Sequence, residues 1–86
     1  MSTIKIKKTD LPSVRNLLMG LPFNCAEKSI NYGIQYTCVS GIICNVHYSD
    51  RNPEVLKVHM QNGERDLEQK QLLEFHLSSF ALPENF

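Results

Sequence analysis

The residues of this sequence with the greatest potential for chemistry are its three cysteines and two of its three histidines, His47 and His59. A thiol beside an imidazole can form a nucleophilic pair, and two histidines on neighbouring strands can begin a metal site, which needs three or four ligands. The alternating pattern described below turns Cys38 and Cys44 to one side of a sheet and His47 and His59 to the other. Cys25 lies in a predicted loop, where it would be exposed with no neighbour to activate it. We therefore predict no catalytic residue, no metal and no cofactor, and a small Cys/His enzyme is the least favoured function.

The elements that would position these residues are indicated by apolar residues at every second position between residues 32 and 61. Because side chains alternate between the two faces of a β-strand, this spacing predicts a three-strand antiparallel meander with one apolar face. A three-residue loop over 39–41 places Tyr36 opposite Cys44, and a slip of one residue would mix the two faces. The apolar positions are Tyr32, Ile34, Tyr36, Cys38, Ile42, Cys44, Val46, Tyr48, Leu56, Val58 and Met60.

The rest of the chain predicts one further strand and two helices. Residues 3–7 alternate as an edge strand, and Pro12 suits the first turn of a helix whose apolar face ends with Leu21. Residues 23–31 fit either a helical turn or a loop. Acidic residues after position 63 predict a second helix, which Pro83 ends. The expected architecture is a single α+β domain over 1–86, with a four-stranded antiparallel sheet in the order β-α-β-β-β-α and both helices on one face.

The face of the sheet turned away from the helices is the predicted binding surface, although an ordinary solvated sheet face is the competing interpretation. Three N-terminal lysines and one aromatic on the outer side of the last helix complete the candidate set. The candidate residues are Gln35, Thr37, Asn45, His47, Lys57, His59, Lys5, Lys7, Lys8 and Phe75.

Charge and cysteine content limit the function classes. Nine basic residues balance nine acidic ones, which removes a strong electrostatic case for nonspecific nucleic-acid binding. An odd number of cysteines without metal-ligand spacing predicts a reducing compartment, so we expect a cytoplasmic protein. The sequence has no long apolar segment, so we expect no contact with a membrane. An exposed edge strand would allow a homodimer.

Three short strings carry a resemblance to a known group of domains: Asn31-Tyr32-Gly33-Ile34-Gln35, Val46-His47-Tyr48 and Leu72-Leu73-Glu74-Phe75-His76-Leu77. From Asn31 onward, the chain resembles the TATA-binding-protein-like accessory domains of bacterial ribonucleases. Examples are the N-terminal domains of type-three ribonuclease H and of the RNase LS toxins. The resemblance implies a noncatalytic module that binds nucleic acid or another protein, and it carries over no catalytic residue.

Two binding functions follow as hypotheses. The first is a noncatalytic module that acts through a protein partner, in a bacterial or phage toxin, defence or counter-defence system. The second is a nucleic-acid-binding domain that uses the polar sheet face and the N-terminal lysines.

Overall fold

The computed structural model describes residues 2–49 and 51–83, which form a five-stranded antiparallel sheet and two α-helices. The elements in chain order are β1 (Ser2–Lys7), a 3-10 turn (Lys8–Asp10), α1 (Leu11–Met19), β2 (Ala26–Ile30), β3 (Gly33–Thr37), β4 (Ile43–Tyr48), β5 (Val55–Gln61) and α2 (Leu67–Ser78). The strands lie side by side in the order β1-β5-β4-β3-β2. The predicted α+β class and antiparallel sheet are confirmed, but the sheet has five strands, so the prediction of four is wrong.

The additional strand is β2, which lies at an edge of the sheet and pairs with β3. Residues 26–29 are all exposed, so burial imposes no apolar alternation on them. Ala26, Glu27 and Lys28 are also poor strand formers. The loop that joins β2 to β3, Asn31-Tyr32, lacks the Asn-Gly signature typical of two-residue hairpins. The helical turn or loop predicted for this segment is therefore wrong over Ala26–Ile30.

The predicted register of the first meander hairpin is confirmed. Tyr36 lies opposite Cys44, and the loop over 39–41 has three residues, with the Cys38 amide donating to the Ile42 carbonyl at 2.8 Å. Gly41 closes the loop at a φ of +98°, a conformation that L side chains rarely adopt.

Both helices contribute side chains to the core on the apolar face of the sheet. Val14 and Leu18 of α1 and Leu73 and Leu77 of α2 are all at most 1% exposed and belong to one cluster with the sheet residues. The prediction that Leu21 joins them is wrong. Leu21 is 83% exposed because α1 ends at Met19, before the chain reaches it. The sheet residues buried in this cluster are Ile6, Tyr36, Cys44, Val46, Leu56, Val58 and Met60.

The second helix begins where the acidic residues predict. The Asp66 side chain accepts a hydrogen bond from the Gln69 amide at 3.0 Å and so caps the helix. The helix ends at Ser78 rather than at Pro83. Beyond it, the chain runs to the edge of β1, where the Leu82 amide donates to the Lys5 carbonyl at 2.8 Å. This contact occupies part of the β1 edge, and a homodimer through an edge strand stays a prediction.

Two of the three cysteines are joined, which corrects the prediction for Cys25, while Cys38 is buried on the apolar side as predicted. Cys25 and Cys38 form a disulfide, and Cys25 is 5% exposed rather than open to solvent. The reason is β2: since Ala26 pairs with Thr37, the flanking cysteines meet at the end of the same hairpin. Cys44 is the free thiol and is buried. The odd cysteine count no longer argues for a reducing compartment, and a cytoplasmic location stays a prediction.

Neither α-helix within residues 2–49 and 51–83 has the length and apolar character needed to cross a membrane.

Candidate functional site

The sheet face opposite the helices carries two rows of side chains that run across all five strands. The strand register defines the first row as Thr3, His59, Asn45, Gln35 and Lys28. It defines the second row as Lys5, Lys57, His47, Gly33 and Ile30. We call this surface the outer face.

The structure brings most of the predicted site residues together on the outer face. Lys5 and Lys7 of β1 share its strand parity with the six predicted sheet residues. Lys8 lies in the 3-10 turn, outside the strands. Phe75 is 73% exposed on α2, whose Leu73 and Leu77 pack on the opposite side of the sheet. The six sheet residues are Gln35, Thr37, Asn45, His47, Lys57 and His59.

In the described strands, the charged side chains of the outer face are lysines, apart from its histidines. Lys7, Lys28 and Lys57 lie on it together with Lys5, and in the described strands no aspartate or glutamate shares their parity. Of the acidic residues that the structure describes, Glu68 and Glu74 lie in α2 and Glu64 and Asp66 lie directly before it. A neutral chain therefore has one basic face, which a count over the whole sequence conceals. Lys28 is absent from the predicted set because it lies on the strand that the sequence does not reveal.

The first row is held by hydrogen bonds within the sheet. Thr3 Oγ1 lies 2.6 Å from His59 Nδ1, and Gln35 Nε2 donates to Asn45 Oδ1 at 3.0 Å. Asn45 is only 8% exposed. The hydrogen-bonded side chains consequently order the outer face. The lysines supply its positive charge, and the His47 ring supplies a hydrogen-bond donor and acceptor.

Three clefts meet at Lys57, which lines all of them. One, of about 460 Å³, is lined by Asn31, Tyr32, His47 and Tyr48. The second, of about 350 Å³, is lined by Lys5, Ser49, Arg51, Asn52 and Val55. The third, of about 460 Å³, lies between Thr3, Ile4, Lys5 and the C-terminal segment 81–83. Lys57 is thus the centre of the concave part of the outer face.

The two tyrosines of the first cleft correct another prediction. Strand alternation places Tyr32 and Tyr48 on the apolar face, but they are 75% and 55% exposed. The Tyr48 amide donates to the Tyr32 carbonyl at 2.8 Å, which holds the two residues side by side where β4 ends and β3 begins. Alternation identifies the face of a side chain but not how far the covering helices extend. The signal in the sequence is position, since each tyrosine lies next to a turn.

A polar cluster on the other side of the sheet fixes the edge strand that carries Lys28. Glu27 Oε2 accepts hydrogen bonds from Arg15 Nε at 2.8 Å and from the Tyr36 hydroxyl at 2.7 Å. The Arg15 hydrogen bond, and then that of Tyr36, lowers the pKa of Glu27. Burial and the bond to Glu27 raise the pKa of Tyr36 above its usual range. This cluster ties β2 to α1 and to β3.

The described part of the chain holds no group of three or more His, Cys, Asp or Glu side chains arranged to bind a metal ion. No family model, no curated protein and no solved structure matches this chain.

Proposed function

We propose that this protein is a noncatalytic nucleic-acid-binding module and that the outer face of its sheet is the contact surface. The observation that carries the proposal is the charge of that face, where four lysines occur without an acidic residue of the same parity in the described strands. Lysine side chains that contact phosphates displace condensed counterions, and this release drives much of the affinity for nucleic acid.

The shape of the surface supports the same function. An open sheet with polar side chains fixed by hydrogen bonds, such as Gln35 with Asn45, offers a firm platform for an extended ligand. Lys57 lies at the meeting point of the clefts, where a phosphate chain could pass between them. The resemblance to accessory domains of ribonucleases also implies a binding module. A toxin, defence or counter-defence setting is proposed on that resemblance alone.

The cysteine chemistry supports a noncatalytic function. Cys25 and Cys38 are bonded to each other, so neither sulfur is a thiolate. Burial raises the pKa of the Cys44 thiol to about 12. A thiol with that pKa is almost entirely protonated at neutral pH and is a poor nucleophile.

The test is fluorescence anisotropy of labelled RNA and DNA oligonucleotides, titrated with the protein over a series of KCl concentrations. We expect binding at low salt, with the logarithm of the association constant falling linearly against the logarithm of the salt concentration. Lys57→Gln and Lys28→Gln should each weaken binding and reduce the slope by about one.

The matched control is Arg65→Gln, which removes one exposed charge near Gly41 at a cleft remote from Lys57. An absence of binding at low salt, or equal effects of Lys57→Gln and Arg65→Gln, would refute the proposal.

A second candidate function, binding of a protein partner, is favoured by the outer surface of α2. Phe75 is 73% exposed and Leu72, one helical turn earlier, is 40% exposed, so two apolar side chains lie close together on that surface. We expect a partner that binds there to be lost from a Phe75→Ser variant in pull-down experiments. It should be retained by Tyr32→Ser, which exchanges an equally exposed aromatic outside α2. The reverse pattern would exclude this surface.

A further inference from the structure

We infer that the nucleic acid bound by this protein is single-stranded, and that Tyr32 and Tyr48 stack on its unpaired bases beside Lys57. This inference rests on the proposed function and specifies the class of ligand. Its starting point is the exposure of two aromatic side chains, 75% and 55%, in a chain whose third tyrosine is fully buried.

The two tyrosines share a cleft with two residues of the charged surface. Both line the cleft of about 460 Å³ that His47 and Lys57 also line. Their backbones are joined by the hydrogen bond from the Tyr48 amide to the Tyr32 carbonyl, so their spacing is set by the sheet. Gly33, which follows Tyr32, contributes no side chain to the outer face opposite His47.

A basic path leads away from the aromatic cleft. Lys57 is shared with the neighbouring cleft, which Arg51 and Lys5 line. Proteins that bind single strands combine aromatic platforms for the bases with a basic groove that follows the phosphates. The cleft lined by the tyrosines would provide the aromatic platform, and the cleft lined by Arg51 would provide the basic groove. The two clefts adjoin at Lys57.

The aromatic rings also distinguish a single strand from a duplex. In a duplex the faces of the bases are covered by their own neighbours, and only base edges are reachable through the grooves. Tyrosine rings that stack on bases can act only where bases are unpaired. The lysines alone would contact either form, so the preference between the two forms depends on the tyrosines.

The experiment compares a labelled single-stranded pyrimidine oligonucleotide with its own duplex, using the full chain and one salt concentration. The single strand should bind more tightly. Tyr32→Leu and Tyr48→Leu should each weaken single-strand binding by roughly 5- to 150-fold, the range for losing one stacked base. Their salt dependence should match that of the unmodified protein because no cation is removed. Tyr32→Phe and Tyr48→Phe keep the ring and should retain the affinity.

A second measurement needs no variant. The chain has three tyrosines and no tryptophan, and Tyr36 is fully buried. Stacking should therefore quench most of the exposed tyrosine emission when the single strand is added, and the duplex should quench much less.

The outcomes separate this inference from the proposed function. If duplex and single strand bind equally and both leucine variants bind like the unmodified protein, the stacking inference is overturned while nucleic-acid binding stands. If neither form binds at low salt, the proposed function fails. If polyglutamate binds as tightly as the single strand and leaves tyrosine emission unchanged, the outer face is a site for an acidic protein, and the inference is again overturned.

Discussion

Replacing Gly33 by alanine should destabilise the protein more than its small volume suggests. Gly33 is the first residue of β3 and lies opposite His47 of β4. A Cβ atom at this position would lie 1.8 Å from the Val46 carbonyl oxygen and 3.0 Å from the His47 Cα. These are backbone atoms, so no side chain can rotate to relieve the contact.

The size of the effect follows from these distances. The two strands would have to separate by about 1.6 Å to restore an ordinary contact of 3.4 Å. That movement would break the hydrogen bond from the Tyr48 amide to the Tyr32 carbonyl, now 2.8 Å long. Overpacking costs about 1–3 kcal/mol, and each lost hydrogen bond about 1 kcal/mol more. We expect a total of roughly 2–4 kcal/mol, against an overall stability of about 4–13 kcal/mol for a chain of this length.

The assay is urea unfolding followed by circular dichroism, with Gly41→Ala as the matched control. A Cβ atom at Gly41 would have no neighbour within 4 Å, but the residue has a φ of +98°. Its replacement should therefore cost only the backbone strain, about 1–3 kcal/mol. The melting temperature of Gly33→Ala should fall by at least about 8 °C. A smaller loss for Gly33→Ala than for Gly41→Ala would show that β3 and β4 do not approach as closely as described.

Two further predictions concern the acid–base and thiol chemistry. Because Arg15 and Tyr36 lower the pKa of Glu27 from its ordinary value of 4.5, their bonds stabilise the fold above pH 4.5 and lose this effect as the pH falls through the folded-state pKa. The urea midpoint of Glu27→Gln should consequently fall less steeply below pH 4.5 than that of the unmodified protein, and parallel curves would contradict this reasoning. Iodoacetamide without reductant should label no cysteine in the native protein and only Cys44 in denaturant, as seen by intact mass. A second adduct in denaturant would exclude the bond between Cys25 and Cys38.

Prediction from sequence succeeds where burial enforces a pattern. Strands β3, β4 and β5 have one buried face, so their apolar residues alternate, and the pairing of Tyr36 with Cys44 follows from that alternation. The same parity places Gln35, Asn45 and His59 on the outer face. Their participation in binding stays a prediction.

The failures have physical causes as well. An exposed edge strand such as β2 has no buried face, so its sequence carries no alternation. If β2 is not predicted, its pairing with β3 is not predicted either. The bond between Cys25 and Cys38 and the position of Lys28 on the outer face both depend on that pairing, so the sequence does not reveal them. Net charge sums over the whole surface, so it cannot show that one face of the sheet is basic.

The separation of charge has a consequence for handling the protein. From a sequence pI of about 6.8 alone, one would expect the protein to bind only weakly to any ion exchanger near neutral pH. Here lysines lie on the outer face of the described strands, and Glu64, Asp66, Glu68 and Glu74 lie in or directly before α2. From this separation we expect the molecule to behave as an electric dipole. It should be retained at low ionic strength by both cationic and anionic resins, each binding a different side. At high concentration, neighbouring molecules should attract one another head to tail, and moderate salt should keep them apart.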